Sequence, residues 1–199
     1  MARTRANDFE EKRHGLLLNA AHVFARQGME KASMSQIARE AGVSKALLYH
    51  YYPSKEALIF AIIASHLEAL DAALAQADDP TLDHKPRLQK LVMTVLNEYR
   101  GADDQHKVQL NAAPALSEDQ KRQIRALERS IIGRFSAIIR DIHPELDRPE
   151  RPLLMPVTMS LFGMLNWVYM WFREGGAITR EDYGVMATTL LLEGVKAVR

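Results

Sequence analysis

The chain has 199 residues, of which 47% are hydrophobic and 26% charged. That is the balance of an ordinary soluble globular chain with material for one or two cored domains. It has no cysteine, which excludes disulfides, cysteine nucleophiles and thiolate metal sites, and fits a reducing, cytoplasmic setting. The net charge of +1 is unevenly spread: residues 1–56 hold nine Lys/Arg against six Asp/Glu, a modest excess that counts for phosphate contact only beside a motif.

The N-terminal run MARTRANDFEEKRHG is charged and lacks an apolar stretch, so no secretory signal is expected there. Asp8 is placed to cap a first helix over residues 9–27, with Leu16, Leu17, Ala20, Val23 and Phe24 as its apolar stripe and Gly28 closing it. Ser33 and Gln36 form a capping box that opens a second helix over 34–41. Gly42 ends that helix in the left-handed conformation, and Val43 turns inward. Ser44 caps a third helix over 45–51, with Leu48 toward the core and Pro53 as its stop. Helix, glycine turn, helix is the helix-turn-helix pattern, whose second helix lies in a DNA major groove.

Ser54 caps a fourth helix over 55–77, longer than a three-helix head needs. The polar run DDPTLDHKP, residues 78–86, reads as a loop, and a fifth helix follows to residue 100. GADD breaks the chain before a short helix over 105–113. Ser117 with Gln120 is a second capping box and opens a long helix to residue 142. HPELDRPERP is a proline-punctuated loop. The segment LLMPVTMSLFGMLNWVYMWF, residues 153–172, carries no charge and meets the length rule for a membrane span. Its Pro156, Thr158, Ser160 and Asn166 favour a helix buried on all sides instead. REGGAI interrupts, and Thr179 with Asp182 opens a last helix to the C-terminus. The expected fold is all-α, about nine helices and no strand, with no membrane segment.

Residues 14–62 resemble the DNA-binding head of the TetR/AcrR family of one-component regulators. The matching positions are Ala20–Ala21, Phe24, Gly28, Ser33, Ile37–Ala38, Ala41–Gly42–Val43–Ser44, Leu48–Tyr49, Tyr52, Ser54–Lys55 and Leu58. Tyr51–Tyr52 stands where the family commonly has His-Phe. The resemblance implies a helix-turn-helix domain over residues 1–54 and a ligand-binding and dimerisation domain over 55–199. It further implies that Ser33 and Ser35 bind backbone phosphate, that Ser44, Lys45, Ala46 and Leu47 face bases, that Tyr49, His50 and Tyr51 reach phosphates or base edges, and that Lys55 pairs with a phosphate. Outside such a motif Tyr49 would read as a core aromatic and Lys45 as a surface charge.

For the body, the resemblance implies dimerisation through the last two helices. Phe162, Trp171 and the small residues Ala187, Gly194 and Ala197 suit a two-fold four-helix interface. An effector pocket is expected among helices five to eight, lined by Val95, Tyr99, Leu110, Asn111, Phe135, Phe162, Asn166 and Met170. Asn111 and Asn166 are its polar members, each also readable as a satisfied core amide. The segments SEDQKRQIRALERSI and FGMLNWVYMWFREGG resemble the subgroup that senses acyl-CoA thioesters, aromatic ones such as phenylacetyl-CoA included. Lys121, Arg122, Arg125 and Arg129 could meet CoA phosphates or form a solvated face. The expected partners are a palindromic operator duplex, a second copy of the chain and a small apolar or aromatic effector. No catalytic motif, metal site or cofactor is expected; Asp104 and His106, two apart, point to different helix faces. The alternative is an architectural or constitutive DNA binder without a ligand.

Overall fold

The computed structural model describes residues 2–198, and side chains from residue 11 onward. The helices are α1 (Ala2–Gln27), α2 (Met34–Glu40), α3 (Lys45–Tyr51), α4 (Lys55–Ala77), α5 (His84–Glu98), α6 (Asp103–Asn111), α7 (Glu118–Ile142), α8 (Leu154–Asn166), α9 (Val168–Trp171) and α10 (Arg180–Val195). Short 3₁₀ turns lie at Ala113–Ala115 and Pro144–Leu146. Among the described residues the ten α-helical segments reduce to nine if α8 and α9, parted at Trp167, are counted as the one helix expected there.

By contact the chain divides into two compact units: Met1–Glu68 with Gly101–Arg125, and Ala69–Arg100 with Ala126–Arg199. In the first, α1 packs on α2 and α6, and α2 on α3. Its core takes Leu16, Leu17, Val23 and Phe24 from α1, Ile37 and Ala38 from α2, Leu48 and Tyr52 from the third helix and its cap, and Leu58, Ile59, Ile62 and Ile63 from α4. Each fully buried aliphatic side chain of this kind contributes about 1.5–3 kcal/mol. By contact, α6 groups with α1, α2 and α3 in this unit.

In the second unit, α10 packs on α5 and α8. Gly184 allows the close approach: a Cβ there would collide with Met93 Sδ and stand 3.2 Å from Leu96 Cδ1. Arg180 ties the start of α10 to the end of α5. Its guanidinium donates to the Leu96 carbonyl at 3.1 Å and to Glu174 at 2.5 Å, and lies 4.8 Å from the Phe172 ring centroid. That hydrogen bond holds the Glu174 carboxyl below its ordinary range.

Several elements differ from the sequence-based expectation. α1 begins at Ala2, so Asp8 lies inside it and is no cap; no proline interrupts this run. α5 starts at His84, inside the expected loop, because Pro86 then falls in the first turn, where a missing N–H costs nothing. α6 runs Asp103–Asn111, two residues earlier than expected at each end. In the expected loop 143–152, Asp147–Arg148 pairs antiparallel with Arg151–Pro152 around Pro149–Glu150, strands too short for any alternation to reveal. α8 is not buried on all sides. Val157, Thr158, Leu161, Phe162 and Leu165 are buried, while Met155, Met159, Trp167, Met170 and Trp171 of this segment are exposed, because within the chain only one side is covered. Among the described residues, the helix long and apolar enough to span a membrane by length and composition is α4, not this one.

Candidate nucleic-acid interface

The helix-turn-helix is built by its caps. Ser33 Oγ accepts from the Gln36 amide at 3.2 Å, but the return half of the box is absent: the Gln36 side chain donates to Glu40 at 2.9 Å. Gly42 sits at φ +67° and its N–H donates to the Arg39 carbonyl, while the Val43 N–H donates to that of Ala38 at 2.9 Å. This pair of bonds is the Schellman arrangement, which consumes carbonyls left over at the end of α2. Val43 is half-buried. Ser44 Oγ accepts from the Leu47 amide at 3.1 Å and so fixes where α3 starts.

Leu48 is the only buried residue of α3 and anchors it. Ser44, Lys45, Ala46, Leu47, Tyr49 and His50 are exposed and Tyr51 is half-buried. The Lys45 ammonium lies 5.7 Å from the Tyr49 ring centroid. His50 and Tyr51 meet edge to face at 5.8 Å, and Tyr51 lies 6.4 Å from the ring of Tyr52, which fills a core position. Ser33 and Ser35 are exposed at the start of α2. Ser33 and Ser44 spend an acceptor lone pair as caps and keep a hydroxyl hydrogen to donate. The expected DNA-facing set therefore lies together on two short helices, apart from Lys55. The Lys55 ammonium donates to the carbonyls of Glu30 and Ala32 at 3.2 and 3.3 Å, a tie no sequence signal announced.

Of the expected effector-lining residues, Val95, Phe135 and Phe162 are buried, and the rings of Phe135 and Phe162 meet edge to face at 5.0 Å. Tyr99 Oη donates to Asn166 Oδ1 at 2.9 Å; burial, with the Glu128 charge behind it, pushes the phenol pKa up. Leu110 and Met170 are half exposed. Asn111 is exposed and its amide donates to the Lys107 carbonyl one turn back at 2.8 Å. On α7, Lys121 pairs with Glu118 at 2.8 Å and Arg122 with Asp119, while Arg125 and Arg129 are exposed. Ala187 is buried in the chain's own core, not on an outer face, because α10 buries Tyr183, Gly184, Ala187, Thr188, Leu191, Leu192 and Val195. Its opposite face exposes Val185, Met186 and Leu190. Trp171 meets Tyr183 edge to face at 5.0 Å rather than joining Phe162. Asp104 accepts from or pairs with His22 at 2.9 Å while His106 is buried 6.5 Å from His66, so the two do point apart.

Residues 16–62 match the family model for bacterial regulatory proteins of the tetR family, and residues 81–195 that for the tetracyclin repressor-like C-terminal domain. The crystal structure of a TetR-family transcriptional regulator from Bordetella parapertussis is similar with a TM-score of 0.83 and 31% identity over 93% of this chain and 96% of that one. The HTH-type transcriptional repressor KstR2 of Mycobacterium tuberculosis is 25% identical over 96% of both chains. AibR, solved in complex with isovaleryl coenzyme A and operator DNA, has the same fold at a TM-score of 0.75 and 24% identity, covering 91% of this chain and 98% of that one. The chain belongs to the TetR family of bacterial regulatory proteins and is a DNA-binding transcriptional regulator.

Proposed function

We propose that the chain acts in the cytoplasm as a homodimeric repressor that an apolar or aromatic effector, an acyl-CoA thioester by first choice, releases from a palindromic operator. The observation that carries the dimer is the set of large apolar side chains left uncovered by the described residues: Met155 and Met159 on α8, and Val185, Met186 and Leu190 on α10, all more than 40% exposed. They lie on two helices that pack on one another, and exposed large apolar side chains gathered in this way mark an interaction surface. Two-fold pairing there would set two recognition helices about 34 Å apart, one turn of DNA.

On the operator, Lys45 donates to guanine O6 or N7, Ala46 or Leu47 touches a thymine methyl, and Ser44 sits beside them. Ser33, Ser35, Tyr49, His50 and Tyr51 hold phosphates or nearby base edges. The effector reading is supported by Tyr99 and Asn166, a hydrogen-bonded polar pair in the same unit as the buried Val95, Phe135 and Phe162. It is supported too by AibR, a protein of this fold solved with isovaleryl coenzyme A. Met170, half exposed in that same unit, would close the site from its exposed side. α4 supplies residues to both compact units and is assigned the coupling between effector and head. The effector binds better to the form whose heads are out of register, and so shifts the population away from DNA.

The test is a titration of acyl-CoA thioesters, short-chain, long-chain and phenylacetyl, into a complex with a DNA duplex selected by the protein. Release by at least one, with free CoA inert, is expected. A complex that survives all of them removes the acyl-CoA assignment and favours a constitutive DNA binder.

A further inference from the structure

The side chain at the start of α4 is placed unlike a phosphate ligand. The Lys55 ammonium donates to the main-chain carbonyls of Glu30 at 3.2 Å and Ala32 at 3.3 Å, residues of the loop between α1 and α2. Lys55 is itself half-buried, and Ala32 is buried. Within the loop, Gly28 at φ +83° ends α1 with its N–H donating to the Phe24 carbonyl at 2.9 Å, and the Ala32 N–H donates back to the Gly28 carbonyl at 3.2 Å. An ammonium has three donors in a compact head, and two of these are spent on neutral acceptors inside the protein. A trans peptide holds its C=O and the next N–H antiparallel, so fixing the Glu30 and Ala32 carbonyls also fixes the peptide planes that lead into Ser33, the cap of α2.

We infer that Lys55 is a positioning residue of the helix-turn-helix: it fastens the α1–α2 loop to the start of α4 and so sets the entry of α2, on which α3 packs, rather than neutralising a DNA phosphate. The inference rests on the DNA-binding reading above. Its separate consequence is that removing the amine disturbs residues 29–35 in the free protein, and lowers affinity without changing how many counterions DNA binding releases. A lysine that neutralised a phosphate would behave oppositely, since each such contact adds about 0.9 to the slope of log K against log salt.

Lys55→Met and Lys55→Arg test it. In the free full-length protein, hydrogen exchange of amides 29–35 should quicken in Lys55→Met, with those of α10 unmoved, and return toward the wild-type rate in Lys55→Arg. Well below the melting temperature, with helicity intact by circular dichroism, Lys55→Met should bind the wild-type-selected duplex about tenfold more weakly at every salt concentration. The salt slope should be unchanged and Lys55→Arg should recover most of the affinity. Unchanged exchange at 29–35 overturns the inference whether or not any DNA is bound. So does a salt slope reduced by about 0.9 per bound chain in Lys55→Met. A wild-type chain that selects no duplex would sink the DNA reading but leave the exchange result to decide the role of Lys55.

Discussion

The Lys45 ammonium stands 5.7 Å from the centroid of the Tyr49 ring, one helical turn further along α3, and both side chains are exposed. The ring face steadies the cation electrostatically and narrows the directions in which it can reach. Lys45 sits at the opening of α3, the helix proposed to read base edges. Lys45→Ala should therefore cost about 1–3 kcal/mol on the selected duplex and much less on random DNA. Fluorescence anisotropy on both duplexes at one salt concentration measures the difference; equal losses would place Lys45 on the backbone instead.

The uncovered apolar faces of α8 and α10 predict what one charge does. Leu190 is 57% exposed, so in a single chain the carboxylate of Leu190→Glu reaches solvent. It would bury a carboxylate in the proposed dimer interface, where an unpaired charge is costly. Sedimentation should show a dimer for the wild type and a folded monomer for Leu190→Glu, with weak operator binding to match. A variant that stays dimeric would move the interface elsewhere.

The half-buried imidazole of His66, its Nε2 shielded from solvent, predicts an acid limb in the stability curve. Burial, reinforced by His106 nearby, lowers its pKa from 6.5 to about 4. Between those values the unfolded chain binds the proton and the folded chain does not, so stability falls as pH drops from 6.5 toward 4 and is level above 6.5 on this account. The loss from this group is on the order of 3 kcal/mol. Urea unfolding across pH 4–7 should show that slope in the wild type and a shallower one in His66→Gln. Equal slopes would mean that carboxylates alone cause the acid loss.

Caps and stops were the legible part of this fold. Ser44, Gly42, Ser54 and Thr179 each bracket a helix by a local hydrogen bond or backbone conformation, and α3 and α4 have the expected ends. What depends on a choice between rival local partners, or on a distant one, was not legible. Gln36 follows Ser33 at capping-box spacing, yet Glu40 on the same helix takes its amide. The uncharged segment 153–172 looked buried on all sides because composition cannot say which side lacks a neighbour; Met155 and Met159 lie open while Val157 and Leu161 do not. Lys55 sits where the family pattern puts a phosphate ligand, and its engagement with the Glu30 and Ala32 carbonyls depends on a loop more than twenty residues earlier. In the effector region the sequence grouped residues by type. Asn166 does have a cross-helix partner in Tyr99, whereas Asn111 bonds its own helix backbone.

The central claim is that two copies of this chain read a two-fold symmetric duplex. Selection from a random-sequence library by the wild-type protein, followed by stoichiometry on the enriched duplex, tests it most directly. The account predicts an inverted repeat whose half-sites lie one helical turn apart or a multiple of it, bound by chains in pairs. Enrichment of a sequence without two-fold symmetry, bound by a single chain, would contradict it.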